Sequence, residues 1–187
     1  MKRALLVLTA LVGLAGCSGS DPAVTPTALP PLSPAVASPT VSPPPSAVPV
    51  VTKPPEADAA TAAGAEAFAR YWMAVADQAF ATLDSAPLDR ISGHQCATCQ
   101  SYIESIERSS GNRERYDGGR IAVEDAAATP LSGRSAVVLL TYDVTELRVY
   151  DERGALIDTV PAKKRVALNF TLQRTGSGWI AKQLLRA

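Results

Sequence analysis

Arg165-Val166-Ala167-Leu168-Asn169-Phe170-Thr171-Leu172-Gln173 alternates apolar and polar residues over its whole length. A period of two places successive side chains on opposite faces of a strand. Val166, Leu168, Phe170 and Leu172 are therefore expected to face a core, with Arg165, Ala167, Asn169, Thr171 and Gln173 on the other side. Downstream, Gly176-Ser177-Gly178 is a turn signal, and Trp179 to Leu185 reads as a last, returning strand. Upstream, Asp151-Glu152-Arg153-Gly154 marks another turn and Pro161 ends a short strand, Ala155 to Val160. Ala136 to Tyr150 is rich in Val, Leu, Thr and Tyr, which predicts a long strand or a strand with a bend. Ile121 and Val123 begin the series. Short turns between neighbouring strands imply an antiparallel meander.

Ahead of Tyr116 the period is different. Phe68, Trp72, Val75, Ala79 and Leu83 share one face at helical spacing, so Asp58 to Leu83 reads as an amphipathic helix. Ser85-Ala86-Pro87 breaks it, and Pro87 suits the first turn of a short helix to Ile91. Cys96, Cys99, Ile103 and Ile106 line the apolar side of a second substantial helix, ended by Gly111 and Asn112. Helices followed by a run of strands give an α+β class: N-terminal helices packed on a curved antiparallel sheet over residues 57–187.

The first 56 residues carry no core. Lys2 and Arg3 precede an apolar run, then Leu14-Ala15-Gly16-Cys17. Positive, apolar and small-residue regions in that order form a secretory signal, and the apolar run is too short for a membrane span of about 20 residues. With its cysteine directly after Leu-Ala-Gly, the segment resembles bacterial lipoprotein precursors. That resemblance implies cleavage after Gly16 (residues 1–16) and lipid on Cys17. Two acyl chains anchor stably where one is marginal, so the expected location is the extracytoplasmic face of the cell membrane. Residues 17–56 hold 12 of the 15 prolines and no aromatic residue. Proline excludes helix and the segment lacks apolar mass to bury, which predicts a disordered, extended tether.

Gly178-Trp179-Ile180-Ala181-Lys182, after a long apolar strand, resembles the last hairpin of NTF2-like (cystatin-like) domains. Tyr71-Trp72, Cys96-Ala97-Thr98-Cys99-Gln100-Ser101-Tyr102 and Gly118-Gly119 resemble an uncharacterised family of actinobacterial lipoproteins. This likeness covers Ala59 to Leu185. It implies the cone-shaped α+β fold and an envelope compartment, and it implies no activity.

With Lys2 and Arg3 removed, 16 basic residues face 18 acidic ones. That balance gives no support for nucleic-acid binding. With Cys17 lipidated, Cys96 and Cys99 remain as a pair outside the cytoplasm, where disulfides persist. Residues three apart on a helix have Cα atoms ~5 Å apart, within disulfide range, so a structural Cys96–Cys99 bridge is expected. Its rivals are a thiol redox sensor, a metal site of His94, Cys96 and Cys99 that a carboxylate would have to complete, and an unoxidised buried pair. No catalytic residue, metal or cofactor is indicated. An isomerase-like cone needs a carboxylate in an apolar pocket, but Asp77 is expected to point away from the apolar helix face. Asp143 alternates with Tyr142, which shares the inward face of Leu140 and Val144. Candidate pocket-lining residues are Tyr71, Trp72, Tyr142 and Phe170. Lys163-Lys164-Arg165 is a solvated strand end or a contact for anionic lipid or wall polymer. The expected role is a non-catalytic binding module for an envelope protein, a wall component or a small apolar ligand. Alternatives are an extracytoplasmic NTF2-like enzyme and a redox sensor. Apolar residues on both faces of Ala136–Tyr150 suit a homodimer through the sheet.

Overall fold

The computed structural model describes residues 50–130 and 132–187. The signal, Cys17 and the tether as far as Pro49 lie outside the described residues. Within them, no helix is long and apolar enough to cross a membrane.

Helix α1 spans Ala62–Thr82, and its N-cap Thr61 accepts the Gly64 N–H on Oγ1 at 3.0 Å. The helix thus starts four residues later than its composition suggests. Thr61 takes up an amide that the first turn leaves without a partner, whereas Asp58 closes a separate 3-10 turn, Pro55–Asp58. Phe68, Trp72, Val75 and Ala79 are buried on one face, as their spacing requires. A short helix α2, Ala86–Asp89, leads to α3, Ala97–Gly111. Cys96 is its N-cap, and Cys99, Ile103 and Ile106 are buried on its inner face.

Seven strands follow: β1 Arg115–Gly118, β2 Ile121–Ala128, β3 Ser135–Val144, β4 Leu147–Tyr150, β5 Leu156–Val160, β6 Lys163–Thr175 and β7 Gly178–Arg186. They form two antiparallel sheets, ordered β2-β3-β6-β7 and β1-β4-β5. The apolar stretch Ala136–Tyr150 bends at Thr145-Glu146, and its second half passes into the smaller sheet. Strand β1 is short and polar, which is why no periodicity announces it. Bulges at Val123/Asp125, Tyr142/Val144 and Thr171/Leu172 interrupt the larger sheet and increase its bend and twist.

Helix α1 lies against β2 and β3, and α3 against β7. Leu168, Phe170 and Leu172 of β6 are buried and Val166 is half-buried, the face set by the alternation. They meet Val138 and Leu140 of β3, Leu184 of β7, and Phe68, Trp72 and Ile106 of the helices.

Residues expected to belong to the tether, up to Glu56, instead pack on the domain from Val51. Val51 packs on the core and its N–H donates to Gln78 Oε1 at 3.1 Å. Lys53 and Asp58 form an ion pair beside Gly178, and Ala57 is fully buried. Trp179 Nε1 donates to the Ala59 carbonyl at 2.8 Å. These polar and apolar anchors fold Val51 to Pro55 onto the domain, so among the described residues it reaches back at least to Val51.

Candidate functional site

A cavity of about 190 Å³ opens where the smaller sheet meets α1 and the bent end of β3. Helix α1 supplies Met73, Asp77, Phe80 and Ala81, one stripe at i, i+4, i+7 and i+8. Tyr102 comes from α3, Ile121 from β2, Tyr142 and Val144 from β3, and Leu147 and Val160 from β4 and β5. Gly118 and Gly119 complete the wall, both at positive φ (84° and 68°). A side chain at Gly118 would run into the Glu146 carbonyl, so the chain turns there only as glycine.

The sequence-expected lining residues divide. Tyr142 lines the cavity. Trp72, Phe170 and Tyr71 do not. Trp72 and Phe170 are fully buried and meet edge to face with ring centroids 5.2 Å apart. Trp72 Nε1 is satisfied by Ser92 Oγ at 3.0 Å. Tyr71 is half-buried against Phe68, centroids 6.2 Å apart. Large aromatic rings on the central stripe of α1 fill the core, and the cavity lies one stripe round the helix. Tyr102 and Phe80, 5.6 Å apart at their centroids, were missed. The signal was present: Tyr102 follows Cys99 by three on the same helix face, and Met73, Asp77, Phe80 and Ala81 keep helical spacing.

Asp77 is the one carboxylate in the cavity wall: it points away from the Phe68–Trp72 face, as expected, and the cavity lies on that other side of the helix. It accepts Arg120 Nε at 3.0 and 3.1 Å, Arg120 Nη2, and the Ile121 N–H at 2.8 Å. The hydrogen bond and charge of Asp77 raise the Arg120 pKa above its ordinary value. This bidentate pair plus a backbone donor ties α1 to the start of β2 and occupies both carboxylate oxygens. Asp143, as expected, turns outward. It accepts Lys164 Nζ and the Arg165 N–H, each at 2.7 Å, and the Lys164 hydrogen bond first, then the Arg165 amide, lowers its pKa.

Tyr102 and Tyr142 face each other. Burial, then the charge and hydrogen bond of Tyr102, push Tyr142 up to about 12. Burial also raises Tyr102. Both hydroxyls therefore keep their protons across the physiological range, one of them donated within the pair. Tyr116 Oη is engaged with Ser109 Oγ at 2.7 Å.

Cys96 and Cys99 form a disulfide with Cα atoms 5.2 Å apart. Both are without solvent exposure, and the Cys99 N–H donates to Cys96 Sγ at 3.3 Å. The sulfurs are bonded to each other, His94 is exposed, and no cluster of three His, Cys, Asp or Glu among the described residues could hold a metal ion.

Comparison with known proteins adds the following. No curated protein matches the chain. Among solved structures, the intermembrane space region of chloroplast protein ARC6 is similar over 67% of this chain and 97% of its own, with 14% identity and TM-score 0.49. Aln2 from a Streptomyces species is similar over 63% and 85%, with 10% identity and TM-score 0.42. An NTF2-like protein with a cystatin-like fold from Novosphingobium aromaticivorans is similar over 62% and 76%, with 14% identity and TM-score 0.37. The model of a family of unknown function, DUF6318, matches residues 37–184. That match spans nearly all of the folded domain and most of the chain, and the protein belongs to this family.

Proposed function

We propose that this chain is an envelope lipoprotein of the actinobacterial kind it resembles, held to the membrane by lipid on Cys17. Its domain acts as a non-catalytic binding module, and the small apolar cavity receives its ligand. The observation that carries this reading is the state of the cavity wall. It is almost wholly apolar, and its only carboxylate, Asp77, is committed to Arg120 and the Ile121 amide. A pocket of that kind suits holding an apolar body better than proton abstraction, which needs a base free to accept a proton. The enzyme alternative would have to recruit a base from outside the wall. A redox role for Cys96 and Cys99 would need an opening that exposes the sulfurs.

A second copy is the favoured protein partner. On the outer face of the larger sheet, Ala127, Leu139, Asn169 and Leu185 lie in one cross-strand row. Leu139 and Leu185 are each about half exposed. The experiment is fractionation of cells with and without Cys17→Ala, followed by crosslinking and mass spectrometry on intact cells. Wild type is expected in the membrane fraction and Cys17→Ala outside it. Retention of the variant in the membrane would refute the anchor. Turnover of a cavity-sized substrate, abolished by Tyr142→Phe, would refute the non-catalytic reading.

A further inference from the structure

Beside the cavity runs a shallow groove bordered by Thr98, Lys163, Val166, Leu184 and Arg186. The two depressions share one wall, the Tyr102–Tyr142 pair. The β5–β6 turn spans both, with Val160 in the cavity and Lys163, three residues on, in the groove. Among the described residues, Lys163 and Arg186 are in no ion pair, whereas Lys164 is held by Asp143. The apolar chamber and the groove thus share two tyrosines, with two uncommitted cations lining the groove.

We propose that this site binds a monocarboxylate with a short apolar body. The body occupies the cavity, and the carboxylate meets the Tyr102 and Tyr142 hydroxyls and Arg186, with Lys163 at the rim. The inference rests on the binding-module reading and names its ligand class. Three features favour this occupant. A chamber of about 190 Å³ has the volume of roughly six waters at ~30 Å³ each, which admits a ring or a medium-length alkyl chain and excludes a two-chain lipid. Tyrosines that remain neutral donate to an anion at no cost in charge. Arg186 lines the groove together with both tyrosines, and an arginine fork matches a carboxylate in shape.

The test is an NMR titration of the full chain carrying Cys17→Ala, in detergent-free buffer, with octanoate, octanol and acetate as probes. Octanoate is expected to bind about tenfold more tightly than octanol, the range a charge-assisted hydrogen bond supplies, with acetate far weaker than either. Lys163→Ala with Arg186→Ala should bring octanoate down to the octanol affinity. Tyr142→Phe, which keeps the wall's shape, should cut the preference severalfold. Filling the chamber with Val144→Phe should remove both tailed ligands. Should that variant not fold, the tyrosine and cation variants decide the matter. Equal binding of octanoate and octanol would overturn the anionic end and leave the binding module standing. Acetate binding as well as octanoate would reduce the site to a surface anion contact and overturn the proposal. Binding of none of the three, with a protein partner captured on cells, would overturn it and move recognition to the surface.

Discussion

Gly64 occupies the first turn of α1, where alanine ordinarily adds about 1 kcal/mol of helix stability. Here an added Cβ would fall on the Ala59 carbonyl, the group that also accepts Trp179 Nε1. The sign reverses: Gly64→Ala should destabilise by about 1–3 kcal/mol, the usual cost of overpacking, read from urea denaturation. Tyr142 carries a pH prediction. Its pKa of about 12 in the fold lies above its ordinary 10.0. A group whose pKa folding raises contributes stability in full below the unfolded value and loses it as pH climbs through the folded one. Stability should therefore fall between about pH 10 and pH 12, and Tyr142→Phe should flatten that limb in melting curves. A limb of equal slope in the variant would contradict the assignment. Neither effect is legible in sequence, since the Ala59 carbonyl is held by Trp179, 120 residues on, and Tyr142 is shifted by burial and by a tyrosine from another element.

At the scale of elements, two of the connections between helices and sheet carry predictions. The Cys96–Cys99 bridge closes the first turn of α3, and Thr98 Oγ1 in the same turn donates to the Leu184 carbonyl of β7 at 2.9 Å. A four-residue loop contributes about 2 kcal/mol at most in the chain-entropy account. Cys96→Ala with Cys99→Ala should thus lower the melting temperature by several degrees and leave α3 formed by circular dichroism. Loss of the whole cooperative transition would show the bridge to be a folding requirement. The second connection is Asp77 with Arg120 and the Ile121 amide. Asp77→Asn should cost about 1–2 kcal/mol, charge-assisted bonds discounted because Arg120 is more than half exposed. Helical and strand periods, turns and caps revealed most elements. They missed β1, which has no apolar pattern, and they ran β3 into β4, because both halves of that stretch have strand composition.

For the molecule as a whole, the segment from Val51 to Ala59 docks on the domain. Chains beginning at Val50 and at Ala57 should differ, the shorter one melting several degrees lower. It loses the Val51–Gln78 bond, the Val51 packing and the Lys53–Asp58 pair. Equal melting temperatures would make the segment a passive lead-in. The sheet's outer face predicts association. Sedimentation should depend on concentration, and Leu139→Lys should return a monomer, because a charge in the middle of an apolar contact goes unpaired. By itself the sequence determined what depends on neighbours in the chain. The α+β order, the inward face of β6, the central face of α1 and the reach of Cys96 to Cys99 follow from periods of 2 and 3.6 and from local Cα spacing. Tertiary structure alone decided which aromatic rings fill the core and which line the cavity. It also brought Asp77 to Arg120, 43 residues apart in sequence, and set Tyr102 against Tyr142. Those pairings depend on how the stripes of separate elements meet across the fold, and no local period encodes that meeting.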